Sequence, residues 1–459
     1  MEQRESLSGR IGFILLSAGC AIGIGNVWRF PYVVGNNGGG IFVLFYLLFL
    51  CIVGIPVLTM EFAIGRASRQ SIVRAYGVLE KPGQKWHIHG YLGMFGNYML
   101  MFYYTSVAGW MLCYFFKYAL GTIEAGKETA ADTAVYGDVF NALLGNPVEA
   151  TLWVLAIVAI GFLICSLGLQ KGVERITKWM MAALLILIIV LAVHSLTLPN
   201  AVEGLKFYLL PNPETVKEAG VFHVMVQALN QSFFTLSLGI GAMLIFGSYL
   251  NRKNTLLGQS IHICVLDTFV AVMAGLIIFP ACSSFGVDVN SGPSLIFITL
   301  PNVFGSMGGG RIWGALFFLF MTFAALSTVI AVFENILACC MDRFHMTRKK
   351  ACLVNFVIVA LGSLPCVFGY NLLSGWQPLG AGSAVLDLED FIVSNILLPF
   401  GSLIILLFCV TKRYGWGFSN YLKEANTGEG VKVPAWIRPY CTYILPVVLF
   451  VILVLGLIS

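Results

Sequence analysis

The chain carries little charge. Only 11% of its 459 residues are Asp, Glu, Lys or Arg, whereas 58% are hydrophobic. A water-soluble fold does not hide that much apolar surface. The 12 cysteines include no Cys-x-x-Cys pair and no Cys/His spacing suited to a metal, which argues against a zinc module or a thiol redox motif. The adjacent Cys339 and Cys340 read as packing. No nucleophile–base pair stands at catalytic spacing at membrane depth, so no enzyme is expected. The first apolar segment lacks a small-residue cleavage site, so no cleavable leader is expected. The longest loops, 121–147, 199–219 and 414–435, are too short for a soluble domain.

Long apolar runs fill the remainder. Eleven are long enough to cross hydrocarbon: 10–35, 40–66, 88–120, 148–167, 173–197, 220–250, 256–285, 311–342, 350–370, 386–411 and 436–458. The expected fold is an all-α polytopic membrane protein forming a single transmembrane domain. Of the 27 basic residues, most fall in one alternate set of loops, beginning with Arg4 and Arg10 and ending at Arg438. The opposite loops hold few, alongside acids such as Glu124 and Asp138. By the positive-inside rule the first set and the N-terminus are cytoplasmic, and eleven crossings leave the C-terminus outside. This accounts for the net charge of +5 without nucleic acid. Gly- and Pro-rich turns, among them Asn36–Gly40, Asn290–Ser294 and Ser306–Gly310, fall between crossings.

Two runs are interrupted at their centres. The first reads "GCAIGIGNVWRFPY" and carries Gly19, Gly23 and Gly25. The sixth reads "QSFFTLSLGIG" and carries Gly239 and Gly241. Each is the first of a block of five. Interrupted helices at matching places in two halves point to a transporter's binding site. There the freed backbone N–H and C=O groups need partners from substrate, ions or buried side chains.

These residues resemble the sodium:neurotransmitter symporters. The likeness lies in "GCAIGIGNVWRFPYVVGNNGGG", "TMEFAIGR" (Thr59–Arg66), "QSFFTLSLGIG", "FITLP" (Phe297–Pro301) and "LEDF" (Leu388–Phe391), in order from Arg4 to the last crossing. The resemblance implies eleven transmembrane helices in a five-plus-five inverted repeat, 10–197 and 220–411, with 436–458 as an additional helix. The first and sixth helices would be broken. The implied activity is uptake of an amino acid into the cell across the plasma membrane, driven by sodium through alternating access. A non-transporting receptor of the same fold is the alternative, and a homodimer is left open.

The resemblance also implies two sodium sites. One would use the carbonyls of Gly19, Ile22 and Ala324 with the hydroxyls of Ser327 and Thr328. The other would use the carbonyl of Ala21, the side chains of Asn26 and Thr235, a group on the seventh helix and the substrate's carboxylate. On that seventh helix, judged by spacing to Gly275, Asp267 stands about where one bacterial member of the family has an Asn sodium ligand. Tyr46, Gln231 and Thr235 match the pocket in which animal relatives bind chloride. A carboxylate there would supply the negative charge itself, so chloride-independent transport with a proton taken up by Asp267 on the return step is expected. Burial disfavours a charged carboxylate and an adjacent cation favours it.

Amine-transporting relatives place an Asp where this chain has Gly23, so the substrate must bring its own carboxylate. That group would meet Gly25 and Tyr104. The ammonium would meet the carbonyls of Ala21, Phe234 and Thr235 and the hydroxyl of Ser237. The side-chain pocket would be lined by Leu100, Tyr104, Phe234, Ile240, Val329 and Val332, which implies a neutral aliphatic or aromatic amino acid. Arg29 and Asp390 would close the outer side; Arg4 and Asp342, near Tyr249, the inner. Glu61 would accept hydrogen bonds from N–H groups freed by the broken sixth helix, and Glu334 would join the inner network. One departure is visible: relatives have Gly, nine residues, then Pro at the fifth helix, whereas here Gly172 is followed by Ala182.

Overall fold

The computed structural model describes residues 7–123, 133–286 and 295–458. Arg4 and the turn at Asn290–Ser294 lie outside the described residues. The chain begins with α1 (Arg10–Ala21) and α2 (Gly25–Asn36), bent by 54° where they meet. Then come α3 (Gly40–Ser68), α4 (His87–Leu120), α5 (Pro147–Ser166) and α6 (Leu169–Leu196). The sixth apolar run forms two pieces, α7 (Val221–Thr235) and α8 (Ala242–Tyr249). It is followed by α9 (Leu256–Ser284), α10 (Gly310–Phe344), α11 (Arg348–Phe368), α12 (Val385–Val410) and α13 (Ala435–Leu457).

Among the described residues nine helices are long and apolar enough to span a bilayer, and the bent α1/α2 pair makes ten. The expectation of eleven differs by α7 and α8. At 15 and 8 residues, each is shorter than the roughly 20 a crossing needs. Both interruptions fall where the glycines are. Residues 22 and 23 leave helical geometry, with Ile22 extended at ψ 98°. In the 236–241 linker Ser237, Gly239 and Gly241 adopt positive φ, the two glycines at +100° and +76°, where a side chain is strained.

Proline explains a second irregularity. Widened π turns at Gly25–Arg29, Leu50–Gly54, Leu295–Thr299, Ile392–Leu397 and Tyr440–Ile444 stand just before Pro31, Pro56, Pro301, Pro399 and Pro446 respectively. A proline lacks the N–H of its turn and its ring crowds the carbonyl four residues back. One extra residue in the preceding turn moves that carbonyl aside. The π turn at Leu169–Glu174 follows no such rule: it contains Gly172, and the helix then runs unbroken through Ala182.

Helix α10 is the most buried span and packs along α4, α6, α1 and α5. The pieces of the sixth run are gripped by backbone. A Cβ at Gly65 of α3 would strike the Leu244 carbonyl, and one at Gly239 would strike the Leu398 carbonyl and the Ser402 amide of α12. Arg66, near the C-terminal end of α3, is fully buried. Its Nε donates to Glu424 at 2.7 Å and Nη1 to the Asn254 carbonyl at 2.7 Å. A buried guanidinium needs such partners, because removing them would leave an uncompensated charge.

Gly239→Ala combines positive φ with a backbone collision, so it should destabilise by about 2 kcal/mol or more. Eleven of the cysteines are buried. Thermal unfolding followed by a thiol-reactive dye should therefore show a lower midpoint for Gly239→Ala, with little change for Gly375→Ala, whose glycine has open space around it.

Candidate functional site

The breaks free backbone groups at the centre of the bundle, and side chains from α2, α3, α4 and α7 meet them. At the first break the Ile24 N–H donates to the Tyr104 hydroxyl at 2.9 Å, and the Gly23 N–H to Asn26 Oδ1 at 3.3 Å. Gln231 Nε2 donates to the Gly25 carbonyl at 3.0 Å. At the second break the Gly239 N–H donates to Glu61 at 2.6 Å, and the carboxylate also faces the amides of Met243 and Leu244. The Ile240 carbonyl accepts from Asn97 Nδ2 at 2.8 Å, and Asn335 in turn donates to Asn97 Oδ1 at 3.0 Å. Unmet groups at this depth would each cost several kcal/mol, so these contacts hold the breaks open in defined geometry.

The end of α1 faces α10. Thr328 Oγ1 lies 3.3 Å from the carbonyls of both Gly19 and Cys20 and 3.4 Å from that of Ile22. Ser327 Oγ lies 3.4 Å from the Ile22 carbonyl and 2.9 Å from that of Ala324. All five groups expected at one sodium site are thus together. The donor set is three carbonyls and two hydroxyls, neutral oxygen ligands suited to a hard cation.

Across the first break lies Asp267, fully buried. Its carboxylate accepts from Asn26 Nδ2 at 2.7 Å, from Thr235 Oγ1 at 2.9 Å and from the Tyr46 hydroxyl at 3.4 Å. Asn26, Thr235, Tyr46 and Asp267 form one cluster, as the sequence suggests. Gln231 turns the other way, to Gly25, and its buried Oε1 has no hydrogen-bond partner among the described residues.

Between the breaks is a small cavity lined by Cys20, Ala21, Gly23, Gly25, Leu100 and Tyr104, with Phe234, Ser237, Thr328 and Leu398 completing it. It encloses about 20 Å³, room for about one water molecule, so an amino acid fits only after a wall moves. No charged side chain is in the lining. A Cβ at Gly23 would overlap the hydroxyls of Tyr104 and Thr328, so an acidic side chain has no room there.

The lining corrects part of the sequence expectation. Ile240, Val329 and Val332 are buried but stand outside it. Ile240 is turned toward Gly96 of α4, and Val329 toward Gly161 of α5. Val332 lies one helical turn beyond Thr328. The lining residues Cys20, Thr328 and Leu398 were not expected to touch the cavity. Thr328 and Cys20 flank expected positions, but nothing in the sequence pattern marks Leu398.

Above the cavity, Arg29 Nη1 and Asp390 Oδ1 are 4.0 Å apart, their side chains 25% and 36% exposed. Ser394 bridges them: Arg29 donates to it at 3.0 Å, and it donates to Asp390 at 2.8 Å. Tyr103 also donates to Asp390, at 3.0 Å. The Arg29 guanidinium lies 4.2 Å from the centroid of the Phe234 ring, a cation–π contact that joins the ion pair to the cavity lining. Among the residues expected at the inner gate, the Tyr249 hydroxyl donates to Glu334 at 2.9 Å, and Glu334 pairs with Arg348 at 2.7 Å. Asp342 accepts from the Ser71 N–H at 2.6 Å.

Comparison with known proteins agrees with this geometry. The solved structure of MhsT in complex with L-phenylalanine superposes with a TM-score of 0.87 at 35% identity, covering 99% of this chain and all of that one. The sodium-dependent transporter YhdH of Bacillus subtilis is 36% identical over 88% of this chain and 87% of its own length. A sodium-dependent transporter of Haemophilus influenzae is 32% identical over 99% of both chains. The description "Sodium:neurotransmitter symporter family" matches residues 4–124 and 143–459. The protein is a polytopic membrane transporter, not an enzyme, and belongs to the sodium:neurotransmitter symporter family.

Proposed function

We propose that the protein imports a neutral, hydrophobic L-amino acid together with two sodium ions by alternating access. The single observation that carries this reading is an uncharged cavity placed between two helix breaks. Fixed side-chain charge is absent from its lining, so a zwitterion must be met by backbone dipoles and by ions. Anions are favoured at the N-terminus of α2 and cations at the C-termini of α1 and α7. The apolar walls of Leu100, Phe234 and Leu398 suit an aliphatic or aromatic side chain, as does the phenylalanine bound by MhsT.

The proposed chain of events follows from the contacts. The carbonyls of Gly19, Ile22 and Ala324 with Ser327 and Thr328 hold one sodium. Ala21, Asn26, Thr235 and Asp267 hold the other, together with the substrate's carboxylate, so each ligand raises the affinity of the other. The Tyr104 hydroxyl, now accepting from Ile24, turns to the carboxylate, and Phe234, displaced for entry, returns to its place under Arg29 to close the site. Asp267 supplies the negative charge that chloride supplies in animal relatives, and it returns protonated once sodium has left. The halves 10–197 and 220–411 act as inverted repeats, with 436–458 outside them. The N-terminus is cytoplasmic and the C-terminus outside, from the loop charges.

Three outcomes are expected in proteoliposomes. Sodium-driven uptake and counterflow of labelled phenylalanine or leucine should occur; binding without counterflow would favour the receptor. Uptake should persist when gluconate replaces chloride, and an acidic lumen should accelerate it in the wild type but not in Asp267→Asn. A strict chloride requirement would sink the role given to Asp267. Thr328→Val should lower apparent sodium affinity about tenfold or more, on the scale of losing a polar contact at a buried site, whereas Thr328→Ser should stay within about threefold. Equal sodium curves for all three proteins would remove Thr328 from the ion site.

A further inference from the structure

Outside the cavity lies a notch that the proposed mechanism does not use. Tyr104, Leu100 and Gly96 stand four residues apart on α4 and so share one face. Tyr104 and Leu100 line the cavity. Gly96, one turn further on, is buried and faces the side chain of Ile240 in the second break. A Cβ added at Gly96 would come within 2.7 Å of Ile240 Cγ2 and 3.5 Å of Leu397 Cδ1. Leu397 in turn precedes Leu398, which is in the lining. The missing Cβ is therefore the space in which Ile240 is seated.

Ile240 has few ways to yield. Its carbonyl is held by Asn97 at 2.8 Å, and the preceding Gly239 N–H by Glu61 at 2.6 Å. The glycines on either side have positive φ and are packed closely: Gly239 against the backbone of α12, and Gly241 against Ile72. Because Ile240 is β-branched, its Cγ2 moves only by a change of χ1. An added methyl at position 96 would thus be relieved chiefly by rotating the Ile240 side chain out of the notch.

We infer that Gly96 is a specificity-determining residue for the transported amino acid: by seating Ile240 outside the cavity it sets how large a side chain the site admits. This rests on the amino-acid reading above and goes beyond it. Gly96 touches no substrate. It acts through Ile240, on the side of the cavity between Leu100 and Leu398, and it is a positioning residue. With the notch filled, Ile240 enters the volume that a bulky side chain occupies, while a small one still fits beneath Tyr104 and Phe234.

The test uses the purified full-length protein and competition by alanine, leucine, phenylalanine and tryptophan in saturating sodium. Gly96→Ala should weaken tryptophan and phenylalanine by about tenfold or more, the scale of one misplaced methyl group in an apolar pocket. Alanine should stay within about twofold, which also reports correct folding. Adding Ile240→Val or Ile240→Ala to Gly96→Ala should restore the aromatic substrates. Should Gly96→Ala alone fail to fold, Ile240→Ala at the natural Gly96 reads the same geometry and should favour tryptophan over leucine by about threefold or more relative to wild type. Uniform loss across the four ligands, lack of rescue, or unchanged selectivity in Ile240→Ala would each overturn the inference while leaving the amino-acid reading standing. A wild type that binds none of the four would overturn both.

Discussion

A backbone break at membrane depth exposes polar groups that hydrocarbon cannot satisfy, and the rest of this molecule is arranged around that fact. Tyr104, Asn26 and Gln231 serve the first break; Glu61 and Asn97 serve the second. Each partner comes from a packed helix, so the breaks are rigid features. Their carbonyls and amides are pre-aimed at a common centre, where preorganised dipoles interact most strongly because little water competes. The same need explains why a chain with so little charge buries Glu61.

The breaks also need close neighbours. Backbone meets backbone at Gly239 and Gly401, and again where Gly65 passes Leu244. Such contacts need glycine and leave no slack, so displacement of the second break must carry α12 or α3 with it. At the outer rim Phe234 sits beneath Arg29, which reaches Asp390 through Ser394. Four residues in contact, Phe234, Arg29, Ser394 and Asp390, thus connect the cavity wall to this rim.

Much of this was legible in the sequence for definite reasons. The apolar runs follow from hydrocarbon thickness, and the two breaks from glycines where helix continuity is costly. Clusters that depend on backbone position, such as Gly19 with Thr328 or Asn26 with Asp267, could be assigned because a family resemblance carries backbone positions well. Side-chain direction carries less well. Ile240 was expected in the cavity, yet its orientation depends on a glycine about 140 residues away in sequence, at position 96. On α10, Val329 faces Gly161 of α5, and Val332 shares the Thr328 face but lies one turn beyond the lining. The Arg66–Glu424 pair joins segments 358 residues apart, beyond any local pattern. Even the count of spans differs, since α7 and α8 are each too short to register alone.

The central claim is that the two breaks together form the binding element for ions and substrate. Hydrogen–deuterium exchange measured with sodium plus phenylalanine, with sodium alone and in potassium tests it most directly. The account predicts slowed exchange confined mainly to peptides covering Gly19–Asn26 and Phe234–Gly241, strongest when sodium and amino acid are both present. Exchange in those two segments that is unchanged by either ligand, or protection appearing only elsewhere in the bundle, would contradict it.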